Sequence, residues 1–535
     1  MFGYDVKRHI GFIIITLAML GMTCLSSSAF VDATLVPKWI SLGIWLLLMV
    51  IINGLRILVR PKSLIYQFCD MRFMLIAFIF VAGVNSLWGI LQYADVLPSG
   101  GLFKVTGAFD NPAGLSSTLV VLFPFVLLGM VSKEGLLRQL SQIVFALIFI
   151  AVALSGSRAG ILCVLLVLIL GGHRFITKRS FVKWTFIVAW MILLIVVMFE
   201  KADSSSGRLL IWNVSWGIVR DNWLWGLGHS GFASEYMNYQ AVFLTETAND
   251  KWMMLADNIQ HPFNEFLLLW INYGIFALVF ALLLFVYLVK RYMEDKTPEK
   301  QAAFFSIVSI VIFAMVSYPF KYPLVCFVFL YSTVVLVHDA EWVHKVRMIP
   351  DILKRLFAVI ALIVIIIASV DGYRLIRNEV KWNLAVSSNL FGEEQMLVYD
   401  ELYPMMQDNR YYLYNYAYAL YHVRNYSQAS EILKQCRQLW ADYDVQILSG
   451  LVAMKQKQYD EALNYYDCAL KMCPNRFKPL YLKLKTFEEC GDVVCVIQCA
   501  EQIMDKKIKV PSGEIIKILS YAKNILDSYG LQERV

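Results

Sequence analysis

Charged residues are scarce in this chain of 535 residues: they make up 17% of it, against about a quarter in an average soluble domain. Hydrophobic residues make up 59%. The scarcity is uneven, because apolar runs follow one another up to about residue 370 and the charged fraction rises after that point. This distribution indicates a lipid-embedded region followed by an aqueous one.

Several motifs that carry well-known chemistry are also absent. The sequence has no GxSxG nucleophile elbow, no HExxH zinc motif and no P-loop. Its 10 cysteines include no CxxC pair, and the cysteines of the C-terminal part match no zinc-binding pattern. An oxidising compartment would permit a disulfide among them, with the pairing left open. We therefore expect neither a bound metal nor a cofactor.

A net charge of +7 is present, but its distribution does not favour nucleic-acid binding. Most lysines and arginines of the first part lie in short loops between apolar runs, where membrane proteins use them to fix orientation. No basic patch interleaved with aromatic residues stands out from those loops. We therefore expect no nucleic-acid partner.

Eleven apolar runs are candidates for membrane-spanning helices. They lie near 10–30, 39–59, 73–94, 114–131, 139–155, 158–172, 182–199, 263–290, 301–318, 323–338 and 356–371. The first run follows Lys7 and Arg8 as a signal peptide would, but further runs follow at once, so we interpret it as an uncleaved helix. Three runs (139–155, 158–172 and 323–338) are short, and these are candidates for re-entrant or differently tilted segments.

Basic residues alternate between successive loops, which predicts an orientation. With the N-terminus in the cytoplasm, every second loop is rich in lysine and arginine, and the loops between them are poorer. An odd number of spans then places the C-terminal part outside, in the periplasm. We predict a multi-pass protein of the bacterial inner (plasma) membrane, with a membrane domain at 1–375, a large outer loop at 200–262 and a periplasmic domain at 376–535.

The C-terminal part repeats a short pattern. Asn-Tyr-Ser-Gln-Ala at 425–429 returns as Gln-Tyr-Asp-Glu-Ala at 458–462, and a weaker copy begins at Gly491. Counted from Tyr426 to Tyr459 and on to Val493, the copies are 33 and then 34 residues apart, which resembles the tetratricopeptide repeat of two helices; an irregular helical domain is the alternative. We predict an all-α protein: a polytopic membrane helical bundle of about 11 spans with a C-terminal helical-repeat domain whose concave surface binds a protein partner.

Two arginines stand near the predicted outer surface of the membrane. Arg158 lies at the outer end of a span, where a charge is costly unless it reaches water, pairs or binds an anion. Arg208 lies in the large outer loop, close to Trp212. Each also has an interpretation without a function: the Arg158 side chain would snorkel to water, and Arg208 would be an ordinary surface arginine. As a pair they suit a lipid diphosphate head group, because guanidinium groups bind phosphate oxygens through two hydrogen bonds.

One histidine precedes a span on the same side. His261 has the side chain best suited to proton transfer near neutral pH, although a lone loop histidine is also common on protein surfaces. Glu265 follows about one helical turn later, so the two side chains share a face if the helix has begun there.

Four segments together carry a resemblance to a known family. They are Gly107-Ala-Phe-Asp-Asn-Pro112, Ser155-Gly-Ser-Arg-Ala-Gly160, a loop from Gly207 to Phe232 containing Arg208, Trp212 and Gly-Leu-Gly-His229, and His261-Pro-Phe-Asn-Glu-Phe266 running to Tyr273-Gly274. In this order they resemble the O-antigen ligase superfamily of O-antigen ligases, bacterial protein O-oligosaccharyltransferases and Wzy-type O-antigen polymerases. The resemblance covers roughly residues 75–340.

The resemblance implies a glycosyltransferase that moves a glycan from undecaprenyl diphosphate to a hydroxyl acceptor. Arg158 and Arg208 would hold the diphosphate and His261 would activate the acceptor, with Asn264, Glu265, Asn111 and His229 in support. Many members have a histidine directly before the asparagine that corresponds to Asn264, where this chain has Phe263. His229 is therefore a second candidate for the base, and an inactive member is an alternative.

Two other classes of function compete with this one. A polysaccharide or lipid-glycan transporter or flippase would need polar residues at mid-membrane, which are few here. A non-catalytic scaffold for envelope assembly would rely on the repeat domain alone. For the transferase, lipid A core, a protein Ser or Thr and a glycan end are all compatible acceptors, and membrane lipids surround the site. The transferase hypothesis predicts that Arg158, Arg208 and His261 converge on one outer cavity.

Overall fold

The computed structural model describes residues 2–60, 71–99, 103–175, 202–387 and 392–529, with five single positions between 184 and 195. The described residues form helices and no strand, which confirms the all-α prediction. The helices are α1 (Phe2–Cys24), α2 (Val36–Val59), α3 (Met71–Tyr93), α4 (Pro112–Met130), α5 (Gly135–Ser155), α6 (Arg158–Phe175), α7 (Ala202–Asn222), α8 (Gly231–Thr247), α9 (Asp250–Leu255), α10 (Glu265–Glu294), α11 (Pro298–Val316), α12 (Pro323–Val337), α13 (Glu341–Arg347), α14 (Asp351–Ser387), α15 (Glu393–Met406), α16 (Arg410–His422), α17 (Tyr426–Leu439), α18 (Tyr443–Lys455), α19 (Tyr459–Met472), α20 (Lys478–Cys490), α21 (Val493–Met504) and α22 (Gly513–Ser528).

Seven of these helices are long and apolar enough to cross a membrane: α2, α3, α4, α5, α10, α11 and α14. Three shorter apolar helices (α1, α6 and α12) coincide with further predicted spans. The predicted span 182–199 lies largely outside the described residues. Large apolar side chains on α10 and α14, such as Leu282 and Ile366, are more than half exposed, as expected for surfaces that face lipid.

Two compact units make up the chain, and their limits do not follow sequence order. The first, here called the membrane unit, contains Met1–Lys201, Phe263–Glu265 and Phe280–Asn383. The second, here called the loop–repeat unit, contains Ala202–Pro262, Phe266–Val279 and Leu384–Val535. The domain boundary predicted at residue 375 stays a prediction.

Helix α4 forms the centre of the membrane unit. Every residue from Gly114 to Gly129 is buried, and α3, α5, α6, α11 and α12 pack around it. A polar contact also joins it to a neighbour, since the Ser306 hydroxyl of α11 donates to the Val121 carbonyl at 2.8 Å. An apolar helix surrounded on all sides by others is what an all-round hydrophobic sequence predicts.

Loops that the sequence places on one side of the membrane meet at one end of this unit. The Trp39 indole at the start of α2 donates to the Lys321 carbonyl in the turn between α11 and α12, at 3.2 Å. The ammonium of Lys38, which is fully buried, donates to the Ala108 carbonyl in the loop between α3 and α4, at 2.7 Å. Which side of the membrane this end faces stays a prediction.

An ion-pair cluster fastens the opposite end of the membrane unit. The Asp339 carboxylate, after α12, accepts from Arg291 at the end of α10 and from Lys300 at the start of α11, each at 2.7 Å. Burial alone would raise the pKa of Asp339, but the hydrogen bonds from the two cations outweigh it and lower the pKa to about 2. The resulting stabilisation is complete at neutral pH and is lost progressively as the pH falls from the usual pKa of an aspartate to about 2.

The loop–repeat unit contains three stacked helix pairs. The first helices of the pairs (α16, α18 and α20) begin 33 and 35 residues apart, and the second helices (α17, α19 and α21) begin 33 and 34 residues apart. In each turn between the two helices of a pair, a residue of positive φ (Arg424, Lys457 or Gly491) precedes a backbone N–H that donates to a carbonyl five residues earlier. This is the Schellman pattern of a helix end, and the predicted C-terminal helical repeat is confirmed.

The large loop of the sequence folds onto these repeats within the same unit. Helix α8 packs against α17 and α19, and the Ala441 N–H donates to the Ala233 carbonyl at 2.9 Å. The buried Gln240 amide of α8 donates to the Met472 carbonyl at the end of α19, at 2.7 Å. The loop and the repeat domain must therefore lie on the same side of the membrane. The six cysteines of the repeat domain are separate thiols.

Helix α10 is interrupted at Gly274, which has φ 74° and ψ −175°. The interruption removes regular helical hydrogen bonds, and the backbone of the segment after α7 supplies others. They are Ile275 N–H to Trp223 O at 2.9 Å, Leu227 N–H to Ile271 O at 2.9 Å, and Gly228 N–H to Asn272 O at 2.8 Å. Irregular backbone in an apolar helix needs partners of this kind, because lipid provides none.

We expect Asp339→Asn to lower the stability of the protein by about 1–3 kcal/mol, because Arg291 and Lys300 lose the charge that they share. The measurement is the Tm of the purified protein in detergent. The matched control is Glu134→Gln, which breaks an exposed ion pair with Arg72 and should cost at most about 1 kcal/mol. Equal losses in the two variants would contradict a fastening role for Asp339.

We expect Gly274→Ala to destabilise the protein by at least about 2 kcal/mol, because φ is positive and a Cβ would lie against backbone. That Cβ would be 2.1 Å from the Leu224 carbonyl oxygen. Thermal unfolding again gives the measure. Gly207→Ala is the control, since a Cβ at this position in α7 meets nothing within 4 Å. An unchanged Tm for Gly274→Ala would show that the interruption tolerates a side chain.

Candidate functional site

Asn111 sits where the loop 103–111 ends and α4 begins. Its Oδ1 accepts from the Ala113 N–H at 2.8 Å, and Pro112 occupies the first helical position. An asparagine cap followed by proline is a favoured helix start. The asparagine side chain accepts from a free N–H of the first turn, and proline has no N–H at a position where the helix provides no acceptor. The Asn111 amide nitrogen donates to the Tyr318 hydroxyl at 2.8 Å. Both ends of this side chain are therefore fixed.

The turn 318–322 gathers the polar groups around this cap. The Lys321 ammonium lies 2.7 Å from the Asp110 carboxylate. The Tyr322 hydroxyl donates to Asn111 at 3.1 Å and to Asp110 at 3.3 Å. Burial, the Asp110 charge and the neighbouring Tyr318 raise the pKa of Tyr322 well above its usual value, so it remains a hydroxyl donor at neutral pH.

The Ser-Gly-Ser-Arg segment lies beside the start of α4. Its Ser155 hydroxyl is 3.0 Å from the Ser116 hydroxyl, and Gly160 packs so closely on Ser116 that a Cβ would be 3.0 Å away. Gly156 ends α5 in a left-handed conformation with φ 60°. Arg158 then begins α6 and is half-buried. The turn therefore brings this arginine to the end of the bundle where Asn111 lies.

The segment Phe263–Glu265 joins the same place. Phe263 has φ 53°, and its ring packs 5.5 Å from that of Tyr318. The Glu265 carboxylate accepts a hydrogen bond from the Phe320 N–H. Asn264 lies between these two contacts and is half-buried. The turn 318–322 thus contacts both the Asn111 segment and the Asn264–Glu265 segment.

In the loop–repeat unit, α7 links Arg208 to the His261 segment. Arg208 lies one helical turn before Trp212 on α7, and the Trp212 indole donates to the Pro262 carbonyl at 3.0 Å. Pro262 directly follows His261. Arg208 and His261 are both half-buried. Arg208 and Trp212 therefore act on the same segment: the tryptophan holds the histidine segment on the helix that carries the arginine.

His229 lies beside the interruption of α10. Its Nδ1 is 2.7 Å from the Tyr273 hydroxyl, and its imidazole is exposed. The Asn272 amide fixes the backbone on both sides, accepting from the Phe232 N–H at 3.1 Å and donating to the His229 carbonyl at 2.8 Å. This geometry places an imidazole beside a phenol next to an apolar helix. His229 therefore remains the second candidate for the general base.

The predicted site residues fall into both units. Those of the membrane unit are Asn111, Arg158, Asn264 and Glu265, and those of the loop–repeat unit are Arg208, His229 and His261. The convergence of Arg158, Arg208 and His261 on one cavity joins residues of both units and stays a prediction. Among the described residues, no group of three or more His, Cys, Asp or Glu side chains is placed to hold a metal ion.

Sequence reasoning missed the turn 318–322. Tyr318, Lys321 and Tyr322 lie in a short connection between two apolar runs, and no motif in the sequence gives them or Asp110 a role. A signal was present, because Tyr-Pro-Phe-Lys-Tyr-Pro at 318–323 places aromatic, proline and lysine residues between two apolar runs. What the sequence did not indicate is which distant loop these side chains would contact.

Comparison with known proteins gives a family similarity for part of the chain. Residues 143–282 match the family model described as O-antigen ligase. A comparison with curated proteins finds no match. The crystal structure of the yeast Tom70 is similar at a TM-score of 0.22 and 11% identity, with 86% of this chain and 85% of that chain covered. A TM-score this low carries no argument about the fold.

The matched segment contains six of the seven predicted site residues, and Asn111 alone precedes it. The family is one of membrane enzymes, in agreement with the seven long apolar helices. This chain is therefore a multi-pass membrane protein whose residues 143–282 are similar to the O-antigen ligase family, and that similarity supports an activity of the glycan ligase or polymerase type.

Proposed function

We propose that the protein transfers a glycan from undecaprenyl diphosphate to a hydroxyl acceptor on the outer face of the inner membrane. The observation that carries the proposal is the O-antigen ligase match, because it covers Arg158, Arg208 and His261 in one segment. The Trp212–Pro262 hydrogen bond supports it, since it holds the His261 segment against the helix of Arg208.

The proposed reaction balances without a metal or a nucleotide. The acceptor hydroxyl oxygen forms a bond to the anomeric carbon of the first sugar, and the bond from that carbon to the diphosphate oxygen breaks. The electron pair of the broken bond remains on undecaprenyl diphosphate. The hydroxyl proton passes to the imidazole of His261, which acts as the general base.

The two arginines bind the diphosphate in this proposal. Charge develops on the leaving diphosphate, and fixed cations lower the energy of that state more than they lower the energy of the bound substrate. Guanidinium groups suit this task because their planar fork binds two phosphate oxygens at once. Arg158 is held at the start of α6 by the tight turn at Gly156, and Arg208 is held on α7.

Asn111, Asn264 and Glu265 take supporting roles. Asn111 is bound at both ends of its side chain, by the Ala113 N–H and by Tyr318. Glu265 accepts from the Phe320 N–H. These hydrogen bonds fix the two side chains in place, and a transferase needs fixed groups because a small displacement of the reacting groups lowers the rate.

His261→Ala should reduce glycan transfer in the host by roughly 10²–10⁴-fold, because the general base is lost. The gene is deleted and restored as wild type or as a variant, at matched protein levels, and lipopolysaccharide and periplasmic glycoproteins are compared on gels. The glycan class that disappears on deletion identifies the acceptor.

The matched control is His338→Ala, since His338 is exposed and lies outside residues 143–282. His229→Ala is tested alongside. If His261→Ala restores glycan transfer and His229→Ala does not, His229 is the general base instead of His261. If deletion changes no glycoconjugate, the transferase proposal fails and a lipid-glycan transporter or an assembly scaffold takes its place.

Arg158→Lys and Arg208→Lys should each weaken binding of undecaprenyl diphosphate by about 10-fold, because lysine keeps the charge but loses the two-pronged hydrogen bond. The Kd is measured by calorimetric titration of the purified protein in detergent. Arg220→Lys is the matched control on the same helix, where the side chain pairs with Asp221 at 3.2 Å. An unchanged Kd in both site variants would contradict the assignment.

A further inference from the structure

A buried carboxylate of the repeat domain holds the residues that lead into His261. The Asp442 Oδ2 accepts from the Asn258 amide at 2.9 Å and from the Gln260 amide at 2.8 Å. The Asp442 side chain is fully buried, and all these residues belong to the loop–repeat unit. A carboxylate with two amide donors on one oxygen is a strong, directional attachment.

Neither amide can rotate without losing a second bond. The Asn258 oxygen accepts from the Tyr443 N–H at 3.5 Å, and the Gln260 oxygen accepts from the Trp440 indole at 3.0 Å. Each amide therefore has its nitrogen and its oxygen engaged by the repeat domain. A polar network around a buried carboxylate specifies one arrangement when every member is satisfied.

The same carboxylate also begins a repeat helix. Its Oδ1 caps α18 by accepting from the Asp444 N–H at 2.8 Å and from the Val445 N–H at 3.3 Å. One oxygen of Asp442 thus organises the repeat, and the other binds the loop. The position of the loop is consequently tied to the position of a repeat helix.

The segment 257–262 is held on both sides of His261. Before it, Gln240 donates to the Asp257 carbonyl at 3.0 Å, and Asp442 binds the next two amide side chains. After it, Trp212 donates to the Pro262 carbonyl at 3.0 Å. His261 lies between two anchored neighbours, so its backbone is fixed by contacts that the histidine itself does not make.

We propose that Asp442 is a positioning residue for glycan transfer, and that the repeat domain acts through it to place His261. The proposal rests on the function proposed above, in which His261 is the general base. A base must lie within hydrogen-bond reach of the proton that it removes, and a displacement of about 1 Å can cost up to about 100-fold in rate. The repeat domain is then part of the catalytic architecture, in addition to any partner that it binds.

Asp442→Asn separates the two tasks of this side chain. The asparagine oxygen can still cap α18. Its amide nitrogen replaces the oxygen that faces Asn258 and Gln260, so donors would face donors. Burial raises the pKa of Asp442, although the bonds from Asn258 and Gln260 oppose this rise, so removing the charge also removes a desolvation cost. The repeat domain is therefore expected to fold in this variant.

The rescue variant combines Asp442→Asn with Gln260→Glu. The second substitution supplies a carboxylate that accepts from the new amide and from the Trp440 indole, which restores one donor–acceptor pair. The control is Asp492→Asn, which makes the same chemical change in the cap of α21, where the side chain accepts from the Cys495 N–H at 3.0 Å.

Three readouts are made on the full chain. Hydrogen exchange of purified protein reports local order at 257–262, calorimetry gives the Kd of undecaprenyl diphosphate, and pulse labelling in the deletion host gives the initial rate of glycan attachment per protein. For Asp442→Asn we expect faster exchange at 257–262, an unchanged Kd and a rate about 10-fold lower. The double variant should recover part of the rate, and Asp492→Asn should behave as wild type.

Two results would overturn the positioning proposal. One is unchanged exchange at 257–262 in Asp442→Asn, which would show that the carboxylate does not hold the segment. The other is a wild-type rate for Asp442→Asn in a host where His261→Ala is inactive. Failure of the underlying function is seen separately, because wild type and His261→Ala would then label glycoconjugates alike.

Discussion

Satisfying backbone polar groups next to lipid is the constraint on which the rest of this structure depends. Inside a bilayer an unpaired N–H or C=O costs several kcal/mol (about 2–7 by transfer measurements). Two irregular segments of the described part of the chain are bound by protein groups in this way. The interruption of α10 at Gly274 forms three backbone hydrogen bonds with the segment after α7, two donated to α10 and one donated by it. The loop before α4 is bound by Lys38, whose buried ammonium donates to three carbonyls.

The same constraint explains why the predicted site residues occur in irregular segments of the backbone. A regular spanning helix uses its own backbone groups and presents mainly apolar side chains, whereas an irregular segment must be held by polar side chains brought from elsewhere. Arg158, Asn111, Glu265 and His261 all lie at helix starts or in short connections. The contacts that stabilise these connections also make them rigid, which suits groups that must be placed accurately for a transfer reaction.

The repeat domain contacts its own chain as well as offering a surface to a partner. Stacked helix pairs commonly offer a concave surface to a partner, and the sequence suggested that role alone. In the structure the repeats bind the large loop of their own chain through Gln240, Asp442 and Arg476, the last of which pairs with Asp257 at 2.6 Å. These are contacts of largely buried or paired groups. They make the loop and the repeats one compact unit, although more than a hundred residues separate them in the chain.

The sequence by itself determined the helical class, the apolar helices and the repeat, because periodicity and the lengths of apolar runs are local properties. It also suggested Arg158, Arg208 and His261 as site residues, because the segments that contain them resemble a known family, and that assignment stays a prediction. Only the tertiary structure decided that Tyr318 and Tyr322 surround Asn111, that Trp212 binds Pro262, and that Asp442 holds Asn258 and Gln260. Each of these pairs joins residues from 50 to more than 200 positions apart, and no local pattern encodes which distant donor meets which acceptor.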